Sequence, residues 1–291
     1  MAALTFLTFF ARTAHSPQLN PPFAARSLWW PFLMSPTPGY LYDLTVTATD
    51  SAGTVDSYPL RVGLRTVTLA GASLLINGVP LYMRGFGKHE DAAYRGKGMD
   101  QPTIIRDSFL LQWFSANSFR TSHYPYSDEI MDAADEFGIV VIDESPGVGL
   151  EEQNLALNAT LAHHLAVEAE HVRRDKNRAC VIAFSVANEP QSNTPPAAAY
   201  FAAVIGEVRA LDPTRPVMFV CDQDFATDLA MPFSDIIGIK HVHPNPAALR
   251  PPTADPITLC GPYPAPIATR TPLLYAVVIT RGTRRTASSM S

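Results

Sequence analysis

The run Ala183 to Pro190, AFSVANEP, sets an amide and an acid, Asn188 and Glu189, at the end of an apolar stretch with a proline directly behind them. A barrel strand that ends in a carboxylate delivers that group to the face where such folds do chemistry. Glu189 is therefore the first candidate catalytic residue; its competing use is as a carboxylate favoured by the positive end of a helix. Cleavage of a glycosidic bond needs two carboxyl groups, one to protonate the leaving oxygen and one to attack carbon or activate water. A partner is expected on a later strand, yet no glutamate follows Glu207.

Other residue types in the chain suit the surroundings of such an acid. His123, closing the run Ser118 to His123, could donate to a hydroxyl or be satisfied by backbone near a turn. His89 with Glu90 and Asp91 groups possible ligands, but no second histidine stands at helical spacing, so no metal site is expected. Asp143 and Glu144 end another apolar run. Carboxyl groups that work with retention lie about 5 to 5.5 Å apart, and neighbouring strands seldom aim side chains that way. Glu144 is accordingly expected to pair with Arg120 and support the site. The charge run Arg173 to Lys176 reads as a solvated helix end, and Trp29 with Trp30 as the filling of a domain junction.

The elements that must position these groups are bounded by 291 residues of 47% hydrophobic composition, ample for a buried core. A net charge of -5 without a basic stripe excludes nucleic acid and an anionic membrane surface as expected partners. Three scattered cysteines, Cys180, Cys221 and Cys260, make neither a disulfide framework nor a zinc site, and no cofactor is expected. Ala2 to Phe10 is a weak signal-like stretch, preceded by no Lys or Arg. Asn158-Ala159-Thr160 would accept a glycan only on the secretory route. No apolar run reaches the ~20 residues of a membrane span, and a soluble protein is expected.

Residues 41 to 69 alternate apolar and polar around the turn signal Asp50-Ser51-Ala52-Gly53, which predicts a hairpin followed by a strand over Tyr58 to Val67. That gives fewer strands than the ~7 of a sandwich. From Leu74 the pattern changes. Strands are expected at Leu81–Phe86, Ser118–His123, Ile139–Asp143, Val181–Ala187, Val217–Cys221 and Asp235–Ile239, with helices over Pro102–Ala116, Ser127–Phe137, Thr160–Asp175 and Pro195–Leu211. This alternation predicts an α/β fold with a parallel sheet and helical crossovers. An eight-stranded (β/α)8 TIM barrel takes ~250 residues, against about 170 here, so an incomplete barrel of about six strands is expected. Residues 244–291 hold nine prolines and no Glu or Lys, and are expected to be disordered. The resulting divisions are an unassigned leader at 1–27, a small β module at 28–72, the partial barrel at 73–243 and the tail at 244–291.

Several blocks in order resemble the β-glucuronidase branch of glycoside hydrolase family 2: LWWPFLM at Leu28, KHEDAAYRGKG at Lys88, FRTSHYPY at Phe119, GIVVIDE at Gly138, RRDKN at Arg173, SVANEP at Ser185 and LDPTRP at Leu211. The resemblance runs from about Leu28 to about Ile239. It implies that residues 28–72 are part of an immunoglobulin-like β-sandwich and that the family's jelly-roll domain is missing. It further implies that Glu189 is the proton donor (acid/base), with Asn188, His89, Asp91 and His123 around a β-glucuronide substrate hydrolysed with retention. The strand-seven nucleophile glutamate has no counterpart, nor do the Asn and Lys that hold the substrate carboxylate. Lys240, His241 and His243 stand where the family has strand-six tyrosines. The family suggests a homotetramer in the lysosome or secreted, with the cytoplasm as the alternative for a truncated chain. Impaired hydrolysis is one expectation; a non-enzymatic remnant or weak carbohydrate-binding fragment is the other.

Overall fold

A computed structural model describes residues 27–239 apart from 50–51, 72, 99 and 225–226, together with the backbone of two short outlying strands, Ala3–Phe9 and Ala276–Val278. The rest of the leader and of the tail, with Lys240, His241 and His243, lies outside the described residues.

The first sheet has the order β1 (Ala3–Phe9), β2 (Tyr42–Thr49), β3 (Val55–Val62). The expected hairpin is there, in antiparallel register from Tyr42 opposite Val62 to Thr49 opposite Val55. Its second strand begins at Val55 rather than Tyr58, because the alternation continues back toward the turn. Seven of the eight residues of β3 are exposed. A three-stranded sheet is thus described, and a covering second layer is not among the described residues.

A small antiparallel meander, β4 (Val67–Ala70), β5 (Ser73–Ile76) and β6 (Val79–Pro80), was not expected from the sequence pattern and spans residue 72. Its second turn is Asn77-Gly78, both at positive φ (53° and 79°), the pair that a two-residue hairpin matching strand twist requires. Leu81 donates its N–H to Leu74 O (2.8 Å) and so belongs to this meander. That moves the first barrel strand downstream of the expected Leu81–Phe86, to β7 (Gly85–Lys88).

The main sheet continues with α1 (Gln101–Trp113), β8 (Ser118–Thr121), α2 (Asp128–Phe137), β9 (Val140–Glu144), the short α3 (Glu152–Leu155), α4 (Asn158–Asp175), β10 (Val181–Asn188), α5 (Ala197–Leu211), β11 (Val217–Cys221), β12 (Ile236–Ile239) and β13 (Ala276–Val278). Six strands, β7 to β12 in spatial order, are joined by five parallel pairings, and β13 runs antiparallel beside β12. Every residue of β9, β10 and β11 is buried, as expected where helices cover a parallel sheet and the strands read as continuous apolar runs. This is the incomplete α/β barrel that the pattern predicted.

The junction with the β module is held by Trp29, which is fully buried and donates Nε1–H to Asp135 O (2.8 Å). Phe32 N–H reaches Gly138 O (2.7 Å), and Arg65 donates Nε–H to Ala179 O (2.6 Å). Trp29 therefore fills a module junction, as the sequence suggested, and offers no stacking face to a sugar.

Candidate active site

Glu189 stands one residue beyond β10, at the C-terminal end of the sheet. Its backbone is in the left-handed region (φ 50°) and its N–H bonds Val220 O on β11 (2.7 Å). A non-glycine residue held in that region costs of order 1–3 kcal/mol, and such conformations cluster at functional sites. Asn188, buried before it, donates its N–H to Gly147 O (2.9 Å). The acid is half-buried.

Beneath this mouth lies a polar hub centred on Glu144, whose side chain is 0% exposed. Strand pleating sends Asp143 and Glu144 to opposite faces of β9, Glu144 toward β8 and β10. Oε2 of Glu144 accepts from Arg120 Nη1 (2.5 Å) and Ser185 Oγ (2.8 Å), while Oε1 meets His123 Nδ1 (2.8 Å). Its backbone N–H donates to Thr121 Oγ1 (2.7 Å). The same Arg120 Nη1 donates to Asn188 Oδ1 (3.3 Å), so one guanidinium links the hub to the residue that carries Glu189. Both oxygens of Glu144 are engaged, and it supports the site as the strand-aiming argument anticipated.

His123 falls in the turn just after β8 rather than within the strand. His89 packs edge-on against it, ring centroids 5.7 Å apart, with Tyr124 OH 3.5 Å from His89 Nδ1. Glu189, Asn188, His123 and His89 are thus gathered at one end of the sheet. Asp91, two residues after His89, is exposed. It lines a separate cleft of about 60 Å³ with Lys88, Glu90, Lys97, Asp100 and Ser127. A tight turn, Gly96 N–H to Ala92 O (2.9 Å), carries it there.

On the other face of β9, Asp143 meets a buried chain on α4 that sequence reasoning missed. His171 Nε2 is 2.8 Å from Asp143 Oδ2 and its Nδ1 is 3.7 Å from Glu168 Oε2. Glu168 Oε1 meets His164 Nε2 (3.1 Å), whose Nδ1 reaches Tyr200 OH (2.9 Å). The available signal was the spacing of His164, Glu168, His171 and Asp175 on one helix side. Burial alone would lower the His171 pKa, but the charges and hydrogen bonds of Asp143 and Glu168 prevail and raise it to about 10. Asp175, buried and facing the Asp143 charge, is raised to about 6. Donor atoms of Asp143, His171 and Asp175 lie within 4.8 Å of one another, the geometry of a possible metal site. Asp175 already accepts from Arg174 and from Arg178 (3.1 Å), and His171 bridges Asp143 and Glu168, so among the described residues the cluster forms an ion-pair network.

A run of parallel strands and crossover helices with an acid at the end of its fourth barrel strand, the face at which such folds place their sites, defines a (β/α)8-type scaffold. The pattern of "Glycosyl hydrolases family 2, TIM barrel domain" matches residues 67–247. The chain belongs to this family. It is 53% identical over 216 residues to β-glucuronidase of Canis lupus familiaris (73% of this chain, 33% of that one) and 51% identical over 214 residues to β-glucuronidase of Homo sapiens (72% and 33%). Among solved structures it is similar to a β-D-glucuronidase of Dictyoglomus thermophilum (TM-score 0.69, 43% identity, 74% of this chain and 38% of that one). It is also similar to a Bifidobacterium dentium β-glucuronidase complexed with coumarin-3-O-glucuronide (TM-score 0.69, 36% identity, 74% and 35%). The chain spans about a third of the length of the curated relatives it matches.

Proposed function

We propose that this chain carries the acid/base half of a retaining β-glucuronidase site, with Glu189 as proton donor and then base. Asn188, His89, Asp91 and His123 are read as the residues around the sugar. The carrying observation is the position of Glu189 beyond β10, on a constrained backbone and braced through Asn188 and Arg120 by Glu144. The relatives point to a β-D-glucuronide as the substrate class. Residues 28–72 are read as part of an immunoglobulin-like domain, and lysosomal or secreted location and tetrameric assembly are carried over from the family.

A second reading, a non-enzymatic remnant or weak carbohydrate-binding fragment, is favoured by one observation. Glu144, a second carboxylate of the Glu189–Asn188 neighbourhood, is buried with both oxygens engaged. The two readings part in an assay with a fluorogenic β-glucuronide. Hydrolysis by the chain alone is expected to be weak, to rise when azide or formate is added as a small external nucleophile, and to fall by ~10² or more in Glu189→Gln when the leaving group is poor. Turnover absent under all these conditions would leave the remnant reading.

A further inference from the structure

Glu144 and His123 come from neighbouring strand ends. β8 and β9 run in parallel register as far as Arg120 opposite Ile142, and just beyond that rung Glu144 N–H donates to Thr121 Oγ1 (2.7 Å), tying the two ends together. The tie sets the acid against the ring. Oε1 lies 2.8 Å from His123 Nδ1, while Oε2 is taken by Arg120 Nη1 (2.5 Å) and Ser185 Oγ (2.8 Å). An ionised carboxylate only accepts hydrogen bonds, and this one faces a guanidinium. The contact is therefore Nδ1–H donating to Oε1, so the residue behind the ring decides which nitrogen holds the proton.

The second nitrogen of that ring is differently placed. Among the described residues His123 Nε2 makes no hydrogen bond and is not sealed from solvent, and the side chain is 20% exposed. His164, by contrast, is buried with both ring nitrogens committed, Nδ1 to Tyr200 and Nε2 to Glu168. A neutral imidazole with its proton at Nδ1 presents a lone pair at Nε2. We propose that Glu144 is a positioning residue for His123: it holds the ring proton at Nδ1 and so leaves Nε2 to accept from a sugar hydroxyl at the mouth that carries Glu189. The inference deepens the glucuronide reading and rests on it for the ligand.

Glu144→Gln is the informative substitution. An amide has a single acceptor oxygen, which Arg120 and Ser185 claim, so its NH2 group faces Nδ1; that nitrogen must then accept, and the proton moves to Nε2. The full chain is labelled with nitrogen-15 in its histidines, His123→Asn identifies the ring signals, and long-range proton–nitrogen spectra are recorded at about pH 9, above the ordinary histidine range. Nδ1 is expected to be protonated and Nε2 bare in the unsubstituted chain, the reverse in Glu144→Gln, and the original pattern in Ser185→Ala. Should Glu144→Gln melt early for want of a counter-charge to Arg120, Arg120→Met with Glu144→Gln removes both charges and carries the same expectation, since Ser185 still claims the oxygen. A protonated Nε2 in the unsubstituted chain, or a tautomer that removal of the carboxylate leaves unchanged, overturns the proposal. Coumarin-3-O-glucuronide, the ligand on the Bifidobacterium dentium relative, is then expected to shift the bare Nε2 resonance. The expected tautomer with an Nε2 that the glucuronide leaves unmoved would instead overturn the glucuronide reading and the ligand assigned to Nε2, the hold of Glu144 on the proton standing by itself.

Discussion

Arg120 and Glu144 illustrate what a buried charge pair asks of its surroundings. Each is almost wholly removed from water, and each is tolerable because the other is 2.5 Å away, with Ser185 and His123 adding hydrogen bonds to Glu144 and Asn188 one to Arg120. Breaking such a pair by removing one partner costs about 3–5 kcal/mol, whereas replacing both by apolar residues is often neutral. Arg120→Met is therefore expected to lower the urea midpoint by that much, and Arg120→Met with Glu144→Leu to recover most of the loss. A double variant as unstable as the single would contradict the pairing. His171 carries a pH signature. Its folded pKa, about 10, lies above the ordinary 6.5, so its contribution is complete below about 6.5 and is lost as pH rises through about 10. The raised pKa of Asp175, about 6, acts in the same sense at lower pH, while lowered Asp143 and Glu168 withdraw support in acid. Thermal melts between pH 7 and 10 are expected to show a decline of at most ~1.4 kcal/mol per pH unit from this residue, and His171→Gln to flatten it.

At the level of elements, Gly138 joins α2 to the segment at Trp30. It ends the helix in the left-handed conformation (φ 67°), and a Cβ there would lie 2.9 Å from both Pro38 Cβ and Trp30 O. Gly138→Ala is expected to cost on the order of 1–3 kcal/mol by denaturant titration, with the near-ultraviolet signal of the tryptophans altered too. The strands and helices from β8 to β12, the one-turn α3 excepted, were legible in the sequence because most of them are uniformly apolar or clearly periodic; β11 begins and ends where its run Val217–Cys221 does. Glu189 and Asn188 were legible for the same reason, being fixed by the strand before them. The path of the loop that carries Asp91 was not legible, since turn hydrogen bonds between Ala92 and Gly96 decide where it goes. The meander β4–β6 escaped because its strands are two to four residues long, although Asn77-Gly78 announced its turn. His164, Glu168 and His171 read as the wet side of a helix until β9 and α5 close over them.

Across the whole molecule, burial is uneven. The sheet from β9 to β11 is enclosed on both faces, while β3 is exposed along almost its entire length and is held by backbone pairing with β2 and an Arg61–Glu136 ion pair at the surface. Opening free energies follow buried apolar contact. Amide hydrogen exchange is expected to be slowest in Val140–Ile142 and Val181–Val186, and faster by orders of magnitude in Val55–Val62; equal protection in the two regions would mean that the hairpin is covered in solution. Trp29 and Arg65 join these unequal parts, so the module boundary is stabilised from the barrel side.

Adjacent acids on β9 face two unlike neighbourhoods, a guanidinium on one side of the sheet and an imidazolium on the other. Sliding that strand by a single position would place Ile142 and Asp143 in the two ionic nests in one direction, or Glu144 and Ser145 in the other, so that one cation loses its carboxylate either way. Electrostatics thereby proofreads the alignment that oily side chains alone would leave nearly degenerate, and the stagger of the sheet that aims Glu189 is inherited from that check.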